Sequence, residues 1–137
     1  MNAGMNVSRI APHGLIEGNL TNEILGAAID VHRALGPGLL ESAYQACMCR
    51  ELTLRKVPFR SQVLLPVHYK GVHLECGYRI DLVVDERAIV ELKSVERLAP
   101  IHESQLLTYL RLSKIRVGLL INFNVPLLPK GITRRVL

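Results

Sequence analysis

Tyr78-Arg79-Ile80-Asp81-Leu82-Val83-Val84-Asp85-Glu86-Arg87-Ala88-Ile89-Val90-Glu91-Leu92-Lys93 holds two apolar runs separated by the polar triplet Asp85-Glu86-Arg87. Apolar, β-branched runs on either side of a short polar break predict two strands folded back in a hairpin with a three-residue loop. With Val84 and Ala88 flanking that loop, antiparallel pairing brings Leu82 to Val90 and sets Asp81 opposite Glu91. Side chains alternate between faces, so Glu91 and Lys93 share a face and Asp81 joins them from across the ladder. The other face takes Ile80, Leu82, Val84, Val90 and Leu92, while Val83 and Ile89 continue the charged face as apolar residues near the loop. Strands apolar on both sides belong in the middle of a layered α/β domain.

Opposed carboxylates repel, and burying them uncompensated costs several kcal/mol, so a positive charge is expected between them. A divalent cation would supply it. So would Lys93, in a plain buried ion pair with no chemistry.

Outward from the hairpin, Phe59 to Tyr69 reads as a strand with Pro66 at an irregular or edge position. Lys70-Gly71 then turns the chain into a second strand, Val72 to Val84, and Ala88 to Ser94 is the third. On the N-terminal side, Asn19 or Thr21 caps a helix whose inner stripe is Ile24, Ala27, Ala28, Val31 and Leu35, ended by Gly36-Pro37-Gly38. A second helix over about Leu39 to Lys56 has an inner stripe of Leu40, Ala43, Tyr44, Cys47 and Leu54, with Glu41 and Tyr44 on one side. On the C-terminal side, Ala99-Pro100 opens a helix over Ile101 to Ser113, with Leu106, Leu107 and Leu110 inward and Gln105 and Tyr109 on one side. Val117 to Phe123 is a buried strand reached by a helical crossover, hence parallel to its neighbour. Asn124 to Leu137 reads as a loop and a short terminal segment. The order ααβββαβ gives an α/β fold, a mixed four-stranded sheet flanked by helices on both faces.

With 137 residues, a single domain over 19–137 behind a flexible leader, 1–18, is expected. No apolar run reaches the about 18 to 20 residues of a membrane span and Met1 to Ser8 has no signal-peptide pattern, so the expectation is a soluble cytoplasmic protein. Cys47, Cys49 and Cys76 are odd in number and read as reduced, mostly buried thiols. The five histidines, His13, His32, His68, His73 and His102, are dispersed and read as structural or surface groups. A formal charge of +5 suits a polyanionic partner. With no Trp and 4% aromatics there is little material for stacking platforms, so nucleic acid would be held by its phosphates. Glycine-rich phosphate loops and His-Glu-x-x-His are absent.

Gly38-Leu39-Leu40-Glu41-Ser42-Ala43-Tyr44 resembles the motif that names the GxxExxY proteins, and Asp81 with Glu91-Leu92-Lys93 resembles the signature of the PD-(D/E)XK nuclease superfamily. The similarity spans about Leu20 to Leu137 and includes Gln105-Leu106-Leu107-Thr108-Tyr109-Leu110 and Gly118-Leu119-Leu120-Ile121-Asn122-Phe123. It implies a restriction-endonuclease-like core, with Asp81, Glu91 and Glu41 as ligands of Mg²⁺ or Mn²⁺. Lys93 would be the catalytic cation and Gln105, with Glu41, a supporting group. Ile80 stands where the superfamily name has proline, a position that contributes no ligand. Carboxylate oxygens suit such hard cations, which polarise phosphoryl oxygens and lower the pKa of bound water.

Two function classes follow. One is a metal-dependent nuclease acting on DNA, or less readily RNA. The other is a non-catalytic module that holds nucleic acid or protein on the same scaffold. The short chain leaves little room for a substrate groove, which makes a homodimer or another partner an expected complement.

Overall fold

The structure, a computed structural model, describes residues 15–137, in which three helices and seven strands build a three-layer α/β architecture. The chain runs α1 (Gly18–Leu35), α2 (Glu41–Leu54), β1 (Phe59–Leu64), β2 (Val67–Tyr69), β3 (Val72–Leu74), β4 (Arg79–Val84), β5 (Ala88–Lys93), α3 (Pro100–Ser113), β6 (Val117–Asn122) and β7 (Ile132–Val136). A 3₁₀ turn, Leu128–Gly131, leads into β7. Residues 1–14 of the expected leader lie outside the described residues. Its end is tied to the domain: Arg87 donates to the Glu17 carboxylate at 2.7 Å, and Arg134 donates to the Ile16 carbonyl.

The main sheet has five strands in the order β1-β4-β5-β6-β7, against the four expected, and β2 and β3 form a separate two-stranded ribbon. Two breaks explain the extra pieces. Pro66, without an N–H to donate, ends β1, and Gly77, with φ of 78°, turns the chain between β3 and β4. The fifth strand is β7, antiparallel to β6. Its Arg134-Arg135 pair sits partly buried at a sheet edge, where no apolar alternation is required. The expected parallel step is present between β5 and β6, across the α3 crossover.

One face of the sheet packs Leu82, Val84, Val90, Leu92, Leu119 and Ile121 against α1 and α2. The other packs Val83, Ile89 and Leu120 against Leu106, Tyr109 and Leu110 of α3. Gly118 permits that approach, since a Cβ there would lie 2.8 Å from the Leu106 side chain. Ile80 departs from the expected alternation and joins the α3 side with Leu65. In α2 the buried stripe is Tyr44, Met48 and Leu52, while Leu40 and Leu54 are exposed, so the helix is turned from the orientation expected.

At the start of α1, Glu17 occupies the cap position without a side-chain bond, and neither Asn19 nor Thr21 caps the helix. Thr21 is buried inside its second turn instead. The three thiols are free, with Cys47 and Cys49 half-buried and Cys76 exposed rather than buried. His68 and His73 are not dispersed: β2 and β3 bring their rings to 4.6 Å. Among the described residues, no helix is long and apolar enough to cross a membrane.

Candidate active site

The β4–β5 ladder runs from Val84↔Ala88 to Leu82↔Val90, the predicted register, and then stops. Beyond it side chains replace the backbone. The Asp81 N–H donates to Glu91 Oε2 at 2.8 Å, and the Leu92 N–H donates to Asp81 Oδ2 at 2.8 Å. Each carboxylate therefore accepts from a backbone N–H of the opposite strand at the point where the ladder has ended. This reciprocal locking fixes both carboxylates in the cleft between the parted strands.

Both acids are held in their protonated form more strongly than usual. Burial pushes Glu91 up to about 8, reinforced by the Asp81 charge and by Glu41, against the lowering effects of the Asp81 N–H and Lys93. Asp81 is raised first by burial, with Glu41 adding to it, while the Leu92 N–H, Gln62 and Lys93 oppose. Lys93 closes no salt bridge onto either acid among the described residues and acts at a distance. The plain ion pair weighed from sequence is thus not formed.

Glu41 opens α2, and the motif residues around it explain its placement. Tyr44 is fully buried, stacked on Phe123 at 4.4 Å between ring centroids. Its hydroxyl donates to the Gly36 carbonyl at 2.6 Å and accepts from the Leu39 N–H at 3.2 Å. Gly38 takes the left-handed conformation, φ 97°, that the turn between those anchors requires. Ser94, just past β5, donates to the Leu39 carbonyl, which ties the loop to the end of the site strand. Glu41 therefore starts α2 as an exposed residue facing the acid pair closely enough to raise both pKa values.

From the opposite layer, α3 lays Tyr109 beside the pair. Burial raises its phenol, with the Glu91 and Asp81 charges adding to the shift and a hydrogen bond with Gln105 opposing it. Gln105 lies one helical turn before Tyr109 on α3, and no hydrogen bond joins it to either carboxylate.

A model of the PD-(D/E)XK nuclease superfamily matches residues 18–136. The chain belongs to that superfamily. No curated protein and no solved structure matches it.

Sequence reading missed two glutamines. Gln45 of α2 donates to the Asp81 carbonyl at 3.1 Å, and Gln62 of β1 donates to Asp81 Oδ1 at 3.4 Å. Gln45 lies one helical turn after Glu41, a spacing that shares a face and could have nominated it. Gln62 shows nothing until β1 is paired with β4, where Ser61↔Leu82 and Val63↔Ile80 bracket it opposite Asp81.

The donor set fits a divalent cation. Among the described residues, Glu91 Oε1 has no hydrogen-bond partner and is not sealed from solvent, and Asp81 Oδ1 accepts only the long bond from Gln62. Both acids are raised first by their burial, with the Asp81 charge adding to it at Glu91 and the Glu41 charge at both. Among the described residues no three acid, histidine or cysteine side chains already close around one point.

Proposed function

We propose that the chain is a metal-dependent phosphodiesterase that cleaves nucleic acid, DNA in preference to RNA, and that it is one of the GxxExxY proteins. One observation carries this reading: the reciprocal bonds from the backbone that hold Asp81 and Glu91 side by side while leaving an oxygen of each available. Asp81 and Glu91 would hold Mg²⁺ or Mn²⁺, with Glu41 as the third acid. Bound there, the ion would supply a Lewis acid and a water of lowered pKa.

The remaining work falls to the chain's own groups. The Lys93 ammonium, partly buried at the end of β5, donates to phosphate oxygens as charge builds on them. Gln45 and Gln62 fix Asp81 from both neighbouring elements. Gln105 and Tyr109 wall the α3 side. The formal charge of +5 draws the polyanion in.

The test is cleavage of labelled DNA with Mg²⁺ or Mn²⁺, with chelator, and with Lys93→Ala. Activity is expected to vanish with chelator and to fall about 10²- to 10³-fold in the variant, the usual effect of removing one preorganised charge-stabilising donor. Manganese binding by calorimetry should disappear in Asp81→Asn. Cleavage that survives both chelator and Lys93→Ala rejects the reading and leaves the binding-module alternative.

A further inference from the structure

We propose that the cavity beside the acid pair receives an unpaired base of the strand being cut, so that the substrate is single-stranded or locally opened DNA. The inference rests on the phosphodiesterase reading for what happens to the strand, and on the cavity itself for how the strand is held.

The cavity measures about 620 Å³ and lies between α3, the start of β2 and the segment before β4. Small-molecule sites span about 300–1,000 Å³ and are mostly apolar with a few polar groups, the character of this one. Its apolar walls are Val67, Ile101, Leu112 and the two tyrosines Tyr78 and Tyr109; Gln105 and His102 supply polar atoms. On α3, Ile101, Gln105, Thr108, Tyr109 and Leu112 recur at helical spacing, so one helix face forms the wall.

Three features favour a base over a core defect or a lipid-like ligand. Tyr78 is 45% exposed although its backbone is fixed, because its carbonyl accepts the Leu65 N–H at 2.9 Å. A ring held by its backbone and open to solvent is a platform that loses little freedom on stacking. Tyr78 and Tyr109 stand 6.5 Å apart between centroids and 57° from parallel, offering one open face and one wall. Tyr78 stands three residues before Asp81 on the way into β4, and Tyr109 packs in one buried cluster with Ile80, Asp81's neighbour, so the cavity borders the strand that carries Asp81. A phosphate over the carboxylates would therefore have its neighbouring base at the cavity mouth, with the exposed Arg79 at the start of β4 beside the same backbone. Duplex bases are stacked on one another and could not enter. Low aromatic content argued from sequence against stacking, but two of the four tyrosines are placed where one base needs them.

The experiment measures binding in chelator, where no cleavage occurs, of a short single-stranded DNA carrying one 2-aminopurine. Matched strands carry an abasic position there or form a duplex. The expected result is fluorescence quenching with the wild-type chain and about 10-fold weaker binding of the base-bearing strand by Tyr78→Ala, the low end of a base–aromatic contact. Tyr78→Phe should bind as wild type, and the abasic strand should not distinguish any of the three proteins. Equal affinity of wild type and Tyr78→Ala for the base-bearing strand, or duplex binding as tight as single-strand binding, overturns the inference. Base-dependent binding without metal-dependent cleavage would keep the cavity and remove the phosphodiesterase. Cleavage indifferent to the abasic position would do the reverse.

Discussion

The two ends of the β4–β5 hairpin are made of the same two strands and obey opposite rules. At the loop end, Leu82, Val84, Ala88 and Val90 are fully buried, and the backbone pairs with itself. At the other end the ladder stops, and Asp81 and Glu91 occupy the gap with carboxylates that accept the freed N–H groups. One end stabilises, and the other is where the proposed chemistry would take place. The unfavourable burial of two acids is tolerable because the apolar end holds the strands in register.

The comparison breaks most visibly if each end is substituted in turn. Leu82→Ala at the closed end deletes a fully buried side chain from the α1/α2 face and is expected to cost about 2–5 kcal/mol, read as a lower urea midpoint. Asp81→Asn at the open end keeps an oxygen for the Leu92 N–H and removes a charge that burial disfavours. It should leave the urea midpoint unchanged or higher while abolishing metal binding. A large loss of stability in Asp81→Asn would mean that the acid is a structural element.

The pH dependence of the metal-free protein sharpens the contrast. Glu91 rises from an ordinary 4.5 to about 8 in the folded state, so over that interval the folded chain binds more protons than the unfolded one. The associated stabilisation is complete below about pH 4.5 and is lost as the pH climbs through about 8. Asp81, Glu41, Lys93 and Tyr109 face the same cleft and shape the slope, but burial of Glu91 is its main source. Thermal melts between pH 5 and pH 8 should show a falling midpoint that Glu91→Gln flattens and that Mg²⁺ or Mn²⁺ reverses. A midpoint independent of pH in the wild-type chain would contradict the buried, protonated acid.

Much of this was legible in the residues. The hairpin register followed from apolar runs flanking Asp85-Glu86-Arg87, because a one-residue slip would send Leu82 and Val90 to the wrong face. The parallel β5–β6 step followed from the length of the α3 crossover. What escaped depended on tertiary approach. The edge strand β7 carries Arg134 and Arg135 where alternation would be sought, and Pro66 and Gly77 broke strands that composition alone would have run through. The inner face of α2 was read in part: Tyr44 is buried and Cys47 half-buried as expected, while Leu40 and Leu54 are exposed and Met48 and Leu52 complete the buried stripe. The opposition of Asp81 and Glu91 was legible through alternation, but Gln45 and Gln62 reach Asp81 across 36 and 19 residues of chain.

The smallest effect expected is also the finest probe of the open end. Gln62 sits within β1 at φ 51°, a left-handed conformation that costs a non-glycine residue roughly 1–2 kcal/mol. Strand neighbours Ser61 and Val63 keep their pairing with β4 on either side of it, so the ladder does not slip. Strain confined to the residue facing Asp81 suggests that the conformation serves to aim the amide at Oδ1. Gln62→Gly relieves the strain but adds back roughly 0.5–1 kcal/mol of chain entropy, so the thermal midpoint should hardly move. Without the amide, Asp81 loses one of the contacts that favour its charged form, and cleavage should fall a few-fold with a weaker apparent metal affinity. Gln62→Val, β-branched at a positive φ, should instead lower the midpoint. If Gln62→Gly cleaves and binds metal as the wild-type chain does, the left-handed turn in β1 is a packing accident, and only the two acids and Lys93 distinguish the open end from the closed one.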